Sequence, residues 1–209
     1  ENGFSFEYSA TFGQAVRAAN NAELETTYTR CTIFDYSYKY FYNDGYGKDY
    51  HILNLADDRD EQFRTRYLTA CLLAFYQQQR LYRDKESEFR RFLIERPLWV
   101  FVGSSVNAVR TENRRQVSDV VDILLFLADF VTGRAESIVR IQEILAGHAE
   151  IRDERGHDIF AGRFTYIGTL GLTAEQVFDD IVAVLFNADS TAALHVENRK
   201  GSEGEIALR

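Results

Sequence analysis

The clearest pattern in the sequence is a recurrence of apolar residues every three or four positions, which places them on one face of an α-helix. It predicts helices over about 60–82, 89–93, 117–131, 138–145 and 173–186. Thr173 and Gln176 have the spacing of a capping box, which marks the start of the last helix. Residues 14–30 are rich in Ala, Asn and Glu and predict either a helix or a partly ordered loop.

Other segments show patterns typical of β-strands: alternation, dense aromatic and β-branched residues, or a short continuous apolar run. These segments are residues 4–8, 31–42, 50–55, 98–102, 193–196 and 205–208. The run Leu98–Val102 suits a strand that is covered on both faces of a parallel sheet. Because strands and helices alternate after residue 97, we predict an α/β fold, with parts of two parallel-sheet domains joined near residues 55–95.

Composition excludes several classes of protein. Of the 209 residues, 45% are apolar and 27% charged, as expected for a folded protein and not for a disordered one. The net charge of −8 argues against nucleic-acid binding over the whole surface but leaves room for a local basic strip. No apolar stretch reaches the roughly 18 residues of a membrane span, so we expect a cytoplasmic protein without a membrane partner. Methionine is absent, an initiator included, which indicates a processed product or a fragment.

The cysteines and histidines form no recognisable catalytic or metal-binding pattern. Cys31 and Cys71 provide neither a metal motif nor a disulfide framework, and Cys71 fits a buried position on a helix. The four histidines share no ligand spacing and have no Cys or Ser partner placed by sequence. We therefore predict no catalytic residue and no metal ligand within the chain.

The tripeptide Ser9-Ala10-Thr11 follows the first predicted strand. In helicase-type motors, a Ser-Ala-Thr turn lies at a strand end beside the nucleotide site, where its hydroxyls pair with the acidic motif that holds Mg²⁺. Hydroxyls suit this role because they both donate and accept hydrogen bonds. A Ser/Thr turn that only ends a strand is the alternative interpretation.

Longer segments around this tripeptide share a wider resemblance. They are Glu7–Ala15, Phe34–Tyr42, Asp44–Tyr50, Pro97–Ser105 and Leu194–Asn198. Together they resemble the DEAD/DEAH-box helicases grouped with the restriction subunits of type III restriction enzymes, across most of the chain. Ser9, Ala10 and Thr11 match the one motif with an assigned role, the coupling of ATP hydrolysis to movement along DNA.

The resemblance implies a domain organisation and a parent activity. Residues 1–55 would hold the end of a first RecA-like domain and the strands after it, 56–96 a helical connector, and 97–209 the start of a second RecA-like domain. The parent protein would use ATP and Mg²⁺ and bind DNA, and a methyltransferase subunit is an implied partner. The family's phosphate loop, acidic box and arginine-rich final motif are missing here. Residues 1–209 are therefore not expected to hydrolyse ATP by themselves.

Residues 34–50 contain eight Phe or Tyr in seventeen positions, Tyr46 among them, with Lys39 and Lys48 between them. Exposed rings with cations alongside often hold the bases of single-stranded nucleic acid by stacking. Packing inside a sheet or a domain interface is the other interpretation, which the alternation of tyrosines over residues 36–42 favours.

Two further segments are candidates for phosphate contact. Gly103, Ser104 and Ser105 resemble a small phosphate-binding turn, and a plain strand-to-helix turn is the simpler interpretation. Arg110, Arg114 and Arg115 lie near a predicted helix start, where they would either contact phosphates or form an ordinary solvated turn.

The sequence thus supports two hypotheses from different classes. The leading one is a fragment of an ATP-dependent DNA helicase or translocase of the DEAD/DEAH, type III restriction class. The rival is a non-catalytic α/β binding or scaffold module.

Overall fold

The structure is a computed structural model, and it describes residues 3–9, 12–47, 50, 52, 60–102, 110–112, 115–117, 119–153, 155–188, 195–198 and 206–208. The chain divides into two compact units, which we call the N-terminal unit (Glu1–Ile52) and the helical unit (Leu53–Arg209). Within the described ranges, no helix combines the length and the apolar character that crossing a membrane requires.

The N-terminal unit contains the short helices α1 (Phe12–Ala18), α2 (Ala22–Cys31) and α3 (Tyr38–Asn43). Asn21 caps α2, because its side-chain oxygen accepts hydrogen bonds at 3.0 and 3.1 Å from two backbone N–H groups of the first turn. None of the side chains that the structure describes in this unit is buried. Helix α2 therefore depends on a local cap rather than on a hydrophobic core, and α3 has no side-chain cap.

The strands predicted over residues 4–8 and 31–42 are wrong. Residues 4–8 have no regular structure, and residues 31–42 contain the end of α2, an irregular segment and most of α3. Aromatic density favoured the second strand, but a strand also needs a neighbour that pairs with its N–H and C=O groups. The described part of this unit offers no such neighbour.

The helical unit is built from six helices and two short antiparallel strand pairs within its described residues. In chain order they are α4 (Glu61–Asp84), α5 (Glu86–Arg90), β1 (Arg110–Glu112), β2 (Arg115–Val117), α6 (Asp119–Thr132), α7 (Arg134–Leu145), α8 (Thr165–Thr169), α9 (Ala174–Phe186), β3 (Val196–Asn198) and β4 (Ile206–Leu208). Four of the helices predicted from apolar spacing are confirmed as α4, α6, α7 and α9, with shifted ends. The helix predicted over residues 89–93 overlaps α5 only at Phe89 and Arg90, and the residues that follow form a turn.

Helices α4, α6, α7 and α9 pack around one hydrophobic core. The largest contributions come from Leu72, Leu73 and Tyr76 of α4, Phe126 and Phe130 of α6, Ile141 and Ile144 of α7, and Val177, Phe178 and Ile181 of α9. The rings of Phe130 and Phe178 meet across α6 and α9 with centroids 5.3 Å apart. Each large apolar side chain buried in this way stabilises the fold by roughly 1.5–3 kcal/mol.

Polar side chains fix the ends of the core helices. Asp60 accepts a hydrogen bond at 2.9 Å from the backbone N–H of Gln62 and so caps α4. The predicted capping box is confirmed: the Thr173 hydroxyl accepts from the N–H of Gln176 at 3.2 Å, and the Gln176 side chain accepts from the N–H of Thr173 at 2.9 Å. Helix α9 ends at Asn187, whose φ of +50° lies in the left-handed region that Asn tolerates.

The predicted α/β fold with parts of two RecA-like parallel-sheet domains is wrong, because the protein is helical. Its described strands form only the antiparallel pairs β1–β2 and β3–β4, in which Arg110 lies opposite Val117 and Val196 opposite Leu208. The RecA-like character assigned to residues 1–55 and 97–209 is therefore wrong as well. The division of the chain at those boundaries stays a prediction.

The apolar run Leu98–Val102 shows how the parallel sheet came to be predicted. The run is irregular: Trp99 packs against Phe75 of α4, with ring centroids 5.5 Å apart, while Leu98 and Val102 are 84% and 91% exposed. A short apolar run indicates burial but does not identify what covers it. Here α4 contacts the segment at Trp99, and no described strand pairs with the segment.

The remaining strand predictions have mixed outcomes. Residues 205–208 overlap β4, and residues 193–196 reach β3 only at Val196, in an antiparallel pair rather than a parallel sheet. Most of residues 50–55 lie outside the described ranges.

Candidate functional site

The most unusual surface of the molecule is a group of linked aromatic rings in the N-terminal unit, which we call the aromatic cluster. Its rings belong to the segment before α3, to α3 itself and to the residues that follow it. They are Phe34, Tyr36, Tyr38, Phe41, Tyr42, Tyr46 and Tyr50. Ring centroids of neighbours lie 5.6 to 6.4 Å apart, within the range of favourable aromatic pairs.

Helix α3 and its C-terminal turn bring these rings together. The helix places Tyr38 beside Phe41 and Tyr42, three and four residues later. Gly45, with φ of +83°, then reverses the chain, so that the Tyr46 ring lies 5.6 Å from that of Phe41. The backbone N–H of Tyr46 donates to the carbonyl of Phe41 at 3.1 Å and fixes this return.

Tyr36 is held by a hydrogen bond as well as by ring contacts. Its hydroxyl donates a hydrogen bond to the Asp44 carboxylate at 2.6 Å, which raises the pKa of Tyr36 above its ordinary value. Its ring meets Phe41 edge-on, with centroids 6.3 Å apart and planes at 80°. The rings of Tyr36 and Phe34 are nearly parallel: their planes differ by 14°, and their centroids lie 6.2 Å apart.

The cluster is exposed and almost uncharged. Phe34 is 80% exposed, Tyr36 44% and Tyr46 69%, although aromatic rings usually contribute to cores or interfaces. Residues 34–47 carry Asp35 and Asp44 against Lys39. The rings of this block are therefore exposed rather than packed inside a sheet, which is what the alternation of tyrosines favoured.

A polar constellation in the helical unit, which we call the Asp180 network, joins α4, α8 and α9. Its members are Tyr76, Arg80, Arg83, Asp84, Tyr166 and Asp180. Asp180 accepts from the Tyr76 hydroxyl at 2.5 Å and from the Arg80 guanidinium at 2.6 Å. Asp84 accepts from Arg80 at 2.9 Å and from the Tyr166 hydroxyl at 2.9 Å.

The electrostatics of this network favour fixed protonation states. Burial acts to raise the pKa of Asp180, but hydrogen bonds from Tyr76 and Arg80 outweigh it and hold this pKa below its ordinary value. Burial also acts to raise the pKa of Asp84, but hydrogen bonds from Arg80 and Tyr166 outweigh it and lower this pKa below its ordinary value. Burial and Asp180 raise the pKa of Tyr76 far above neutrality.

The Asp180 network is therefore structural in character. A general acid or base works best when its pKa lies near the working pH, and these groups are displaced away from neutrality. Two arginines balance two aspartates, so the network ties α4 to α8 and α9 without leaving a net charge. Gln77, which is buried, supports the same junction by accepting hydrogen bonds from the N–H groups of Tyr166 and Ile167 at 3.0 and 3.3 Å.

Cys71, on α4, is a poor nucleophile in this environment. Burial raises the pKa of its thiol to about 11, so the thiol remains protonated at neutral pH. The described residues contain no group of three or more His, Cys, Asp or Glu side chains that could hold a metal ion.

The residues proposed from sequence for the coupling motif are only partly described. Ser9 lies in an exposed irregular segment, and Ala10 and Thr11 lie outside the described ranges. Most of the predicted coupling motif therefore lies outside the described residues.

Most of the residues predicted to contact phosphate also lie outside the described ranges. Gly103, Ser104, Ser105 and Arg114 lie outside them. Arg110 begins β1, opposite Val117, in the short strand pair that precedes α6. Tyr46 is the one candidate that the structure places within a larger constellation, the aromatic cluster.

ATP and Mg²⁺ do not fit the residues present. Binding of the triphosphate would need a glycine-rich loop with a lysine, which the sequence lacks. Among the described carboxylates, those of Asp84 and Asp180 pair with Arg80, and that of Asp60 caps α4.

Sequence reasoning missed the Asp180 network. Arg80 and Asp84, four residues apart on α4, gave a local signal for an ion pair. Asp180 lies 100 residues further along the chain than Arg80, and no local pattern connects them.

No family model, no curated protein and no solved structure matches this chain.

Proposed function

We propose that this chain is the non-hydrolysing, DNA-binding segment of an ATP-dependent DNA helicase or translocase of the DEAD/DEAH, type III restriction class, and that the aromatic cluster binds single-stranded DNA. The observation that carries the proposal is the exposure of linked rings in a unit without a described buried side chain. The resemblance of residues 7–15, 34–42 and 44–50 to that family supports the parent activity.

Stacking is the physical basis of binding. Every base has an aromatic face, and stacking on protein rings contributes about 1–3 kcal/mol per base regardless of sequence. Single strands expose these faces, whereas a duplex hides them, so the cluster selects unpaired DNA. A net charge of −8 disfavours broad phosphate contact, which leaves stacking as the main source of affinity.

The parent protein supplies what this chain lacks. ATP and Mg²⁺ bind to other segments of the parent, and Ser9 and Thr11 link that nucleotide site to movement on DNA. A methyltransferase subunit is the partner that this class of enzyme suggests.

Binding of a fluorescein-labelled oligothymidylate of about 16 nucleotides tests the surface directly, by fluorescence anisotropy at about 50 mM salt. Tyr46→Ala should weaken binding by about 5- to 150-fold. Tyr8→Ala, which removes an exposed ring outside the cluster, is the matched control and should bind like the wild type. Equal losses in both variants, or no binding by the wild type, would contradict the proposal.

The parent activity needs a separate test in the full-length parent. Ser9→Ala combined with Thr11→Ala should preserve ATP binding and DNA-stimulated ATPase while abolishing strand displacement. Loss of ATP binding itself would contradict the coupling role, and an ATPase rate unaffected by DNA would argue against a DNA motor.

A second candidate, a protein-binding module without a nucleic-acid ligand, is favoured by one observation. Residues 34–47 are rich in tyrosine and contain a single lysine, and protein interfaces are typically enriched in tyrosine and depleted in lysine. Absence of DNA binding at low salt would favour this candidate.

A further inference from the structure

We propose that Phe34 and Tyr36 form the two sides of a slot that holds one unpaired nucleobase between their rings. This inference rests on the proposed function and assigns the step that recognises the single strand. Both residues lie in the irregular segment between α2 and α3, and both rings are exposed.

The spacing and orientation of the two rings fit a flat ligand. Their planes are 14° from parallel and their centroids 6.2 Å apart. A base stacked between two rings sets those rings about 6.8 Å apart, twice the stacking interval of about 3.4 Å in nucleic acids. The two rings already lie nearly parallel, and rotation of the exposed Phe34 side chain sets their faces at this interval when a base enters.

The two sides of the slot differ in rigidity. The Tyr36 hydroxyl is hydrogen-bonded to Asp44 at 2.6 Å, and its ring edge rests against Phe41. Tyr36 is therefore fixed before the base arrives, which reduces the entropy lost on binding. Phe34 is 80% exposed, and its only ring contact among the described residues is Tyr36. Phe34 is thus the side that moves when the base enters.

The charges around the slot distinguish stacking from phosphate binding. Asp35 lies between the two rings in sequence, and Lys39 is the only cation within residues 34–47. With at most one phosphate neutralised, log Kd should rise with log salt concentration with a slope of about 0.7 or less between about 50 and 200 mM salt. A surface that binds the phosphate backbone would show a several-fold steeper dependence.

Emission of 2-aminopurine, a fluorescent base that stacking quenches, tests the slot. The wild-type chain is titrated into an oligothymidylate of about 16 nucleotides with one central 2-aminopurine. Binding should quench the emission, and replacement of all bases by abasic sites should abolish binding. Phe34→Leu keeps an apolar side chain but removes the ring, so it should weaken binding about 5- to 150-fold and remove the quenching.

Two further variants separate the slot from general apolar contact. Tyr36→Phe keeps the ring but loses the hydrogen bond to Asp44, and should weaken binding by roughly two- to tenfold with quenching retained. Phe6→Leu, at an exposed ring outside the cluster, should change neither affinity nor quenching.

The outcomes distinguish the slot from the proposed function. Unchanged affinity and quenching in Phe34→Leu, with Tyr46→Ala still weakened, would overturn the slot and leave DNA binding by the cluster intact. No binding of any oligonucleotide by the wild type would overturn both. Binding of a tetra-arginine peptide instead of DNA, lost in Phe34→Leu, would reassign the slot to the guanidinium of a protein partner.

Discussion

The two units of this chain use aromatic residues in opposite ways. Residues 1–52 contain eight of the 12 tyrosines and five of the 16 phenylalanines, yet no described side chain there is buried. The helical unit has fewer rings per residue, but Tyr76, Phe130 and Phe178 are almost completely buried in it. Spacing by itself does not decide the outcome: Tyr38, Phe41 and Tyr42 also lie three and four residues apart on α3, yet none of them is buried.

The largest expected difference between the units concerns stability. Phe178→Ala should lower the free energy of unfolding by about 3–5 kcal/mol, because it opens a cavity in the core between α6 and α9. Phe41→Ala, the matched change in the aromatic cluster, should change it by less than about 0.5 kcal/mol. Urea titration monitored by circular dichroism measures both, and similar values would show that the cluster belongs to a cooperative core.

The next effect concerns the Asp180 network. Asp180→Ala leaves the hydroxyl of Tyr76 and the guanidinium of Arg80 without their shared acceptor, which should cost about 1–3 kcal/mol of unfolding free energy. Asp179→Ala, the neighbouring carboxylate that pairs with the more exposed Arg134, should cost clearly less. Equal losses would mean that the network is no more than a surface ion pair.

Acidification should weaken the helical unit through the same carboxylates. Asp84 and Asp180 both have pKa values below the ordinary 3.8, so the unfolded chain takes up protons at a higher pH than the folded one. Their stabilisation is complete above the unfolded pKa and disappears as the pH falls through the folded values. Melting temperatures measured between about pH 6 and pH 2 should therefore fall less steeply for Asp84→Asn combined with Asp180→Asn than for the wild type. Parallel curves for the two proteins would contradict this origin.

The smallest effect compares two matched backbone positions. Asn187, after α9, and Asn20, after α1, have φ values of +50° and +46°. Asn187→Gly should raise the unfolding free energy of the helical unit by about 0.5 kcal/mol, since Gly adopts this conformation without strain. Asn20→Gly should leave that transition unchanged because the N-terminal unit contributes no described core residue. Calorimetry of both variants measures the difference, and equal shifts would mean that the units unfold together.

Local patterns in the sequence predicted local structure well. The apolar spacing of residues 60–82 predicted α4, and Thr173 and Gln176 predicted the capped start of α9. Both features depend on contacts within a few residues, which the sequence contains in full. The same approach located the ring-rich segment over residues 34–50 but favoured its burial.

Long-range features were predicted poorly. Leu98–Val102 looked like a sheet strand, yet Trp99 packs on Phe75 of α4 while its neighbours are exposed. Whether a strand forms depends on a partner elsewhere in the chain, and no spacing rule provides that partner. The pairing of Arg80 with Asp180, 100 residues away, was undetectable for the same reason.

The sequence by itself determined that helices form in the regions of α4, α6, α7 and α9, which faces of them are apolar, and that an uncommon density of tyrosine lies between residues 34 and 50. Only the tertiary structure decided that the core is a helical packing rather than a parallel sheet, that Asp180 unites α4 with α9, and that the Phe34 and Tyr36 rings lie exposed and nearly parallel. Helix periodicity and capping depend on residues that are close in sequence. Burial and ion pairing depend on which elements, far apart in sequence, pack against each other.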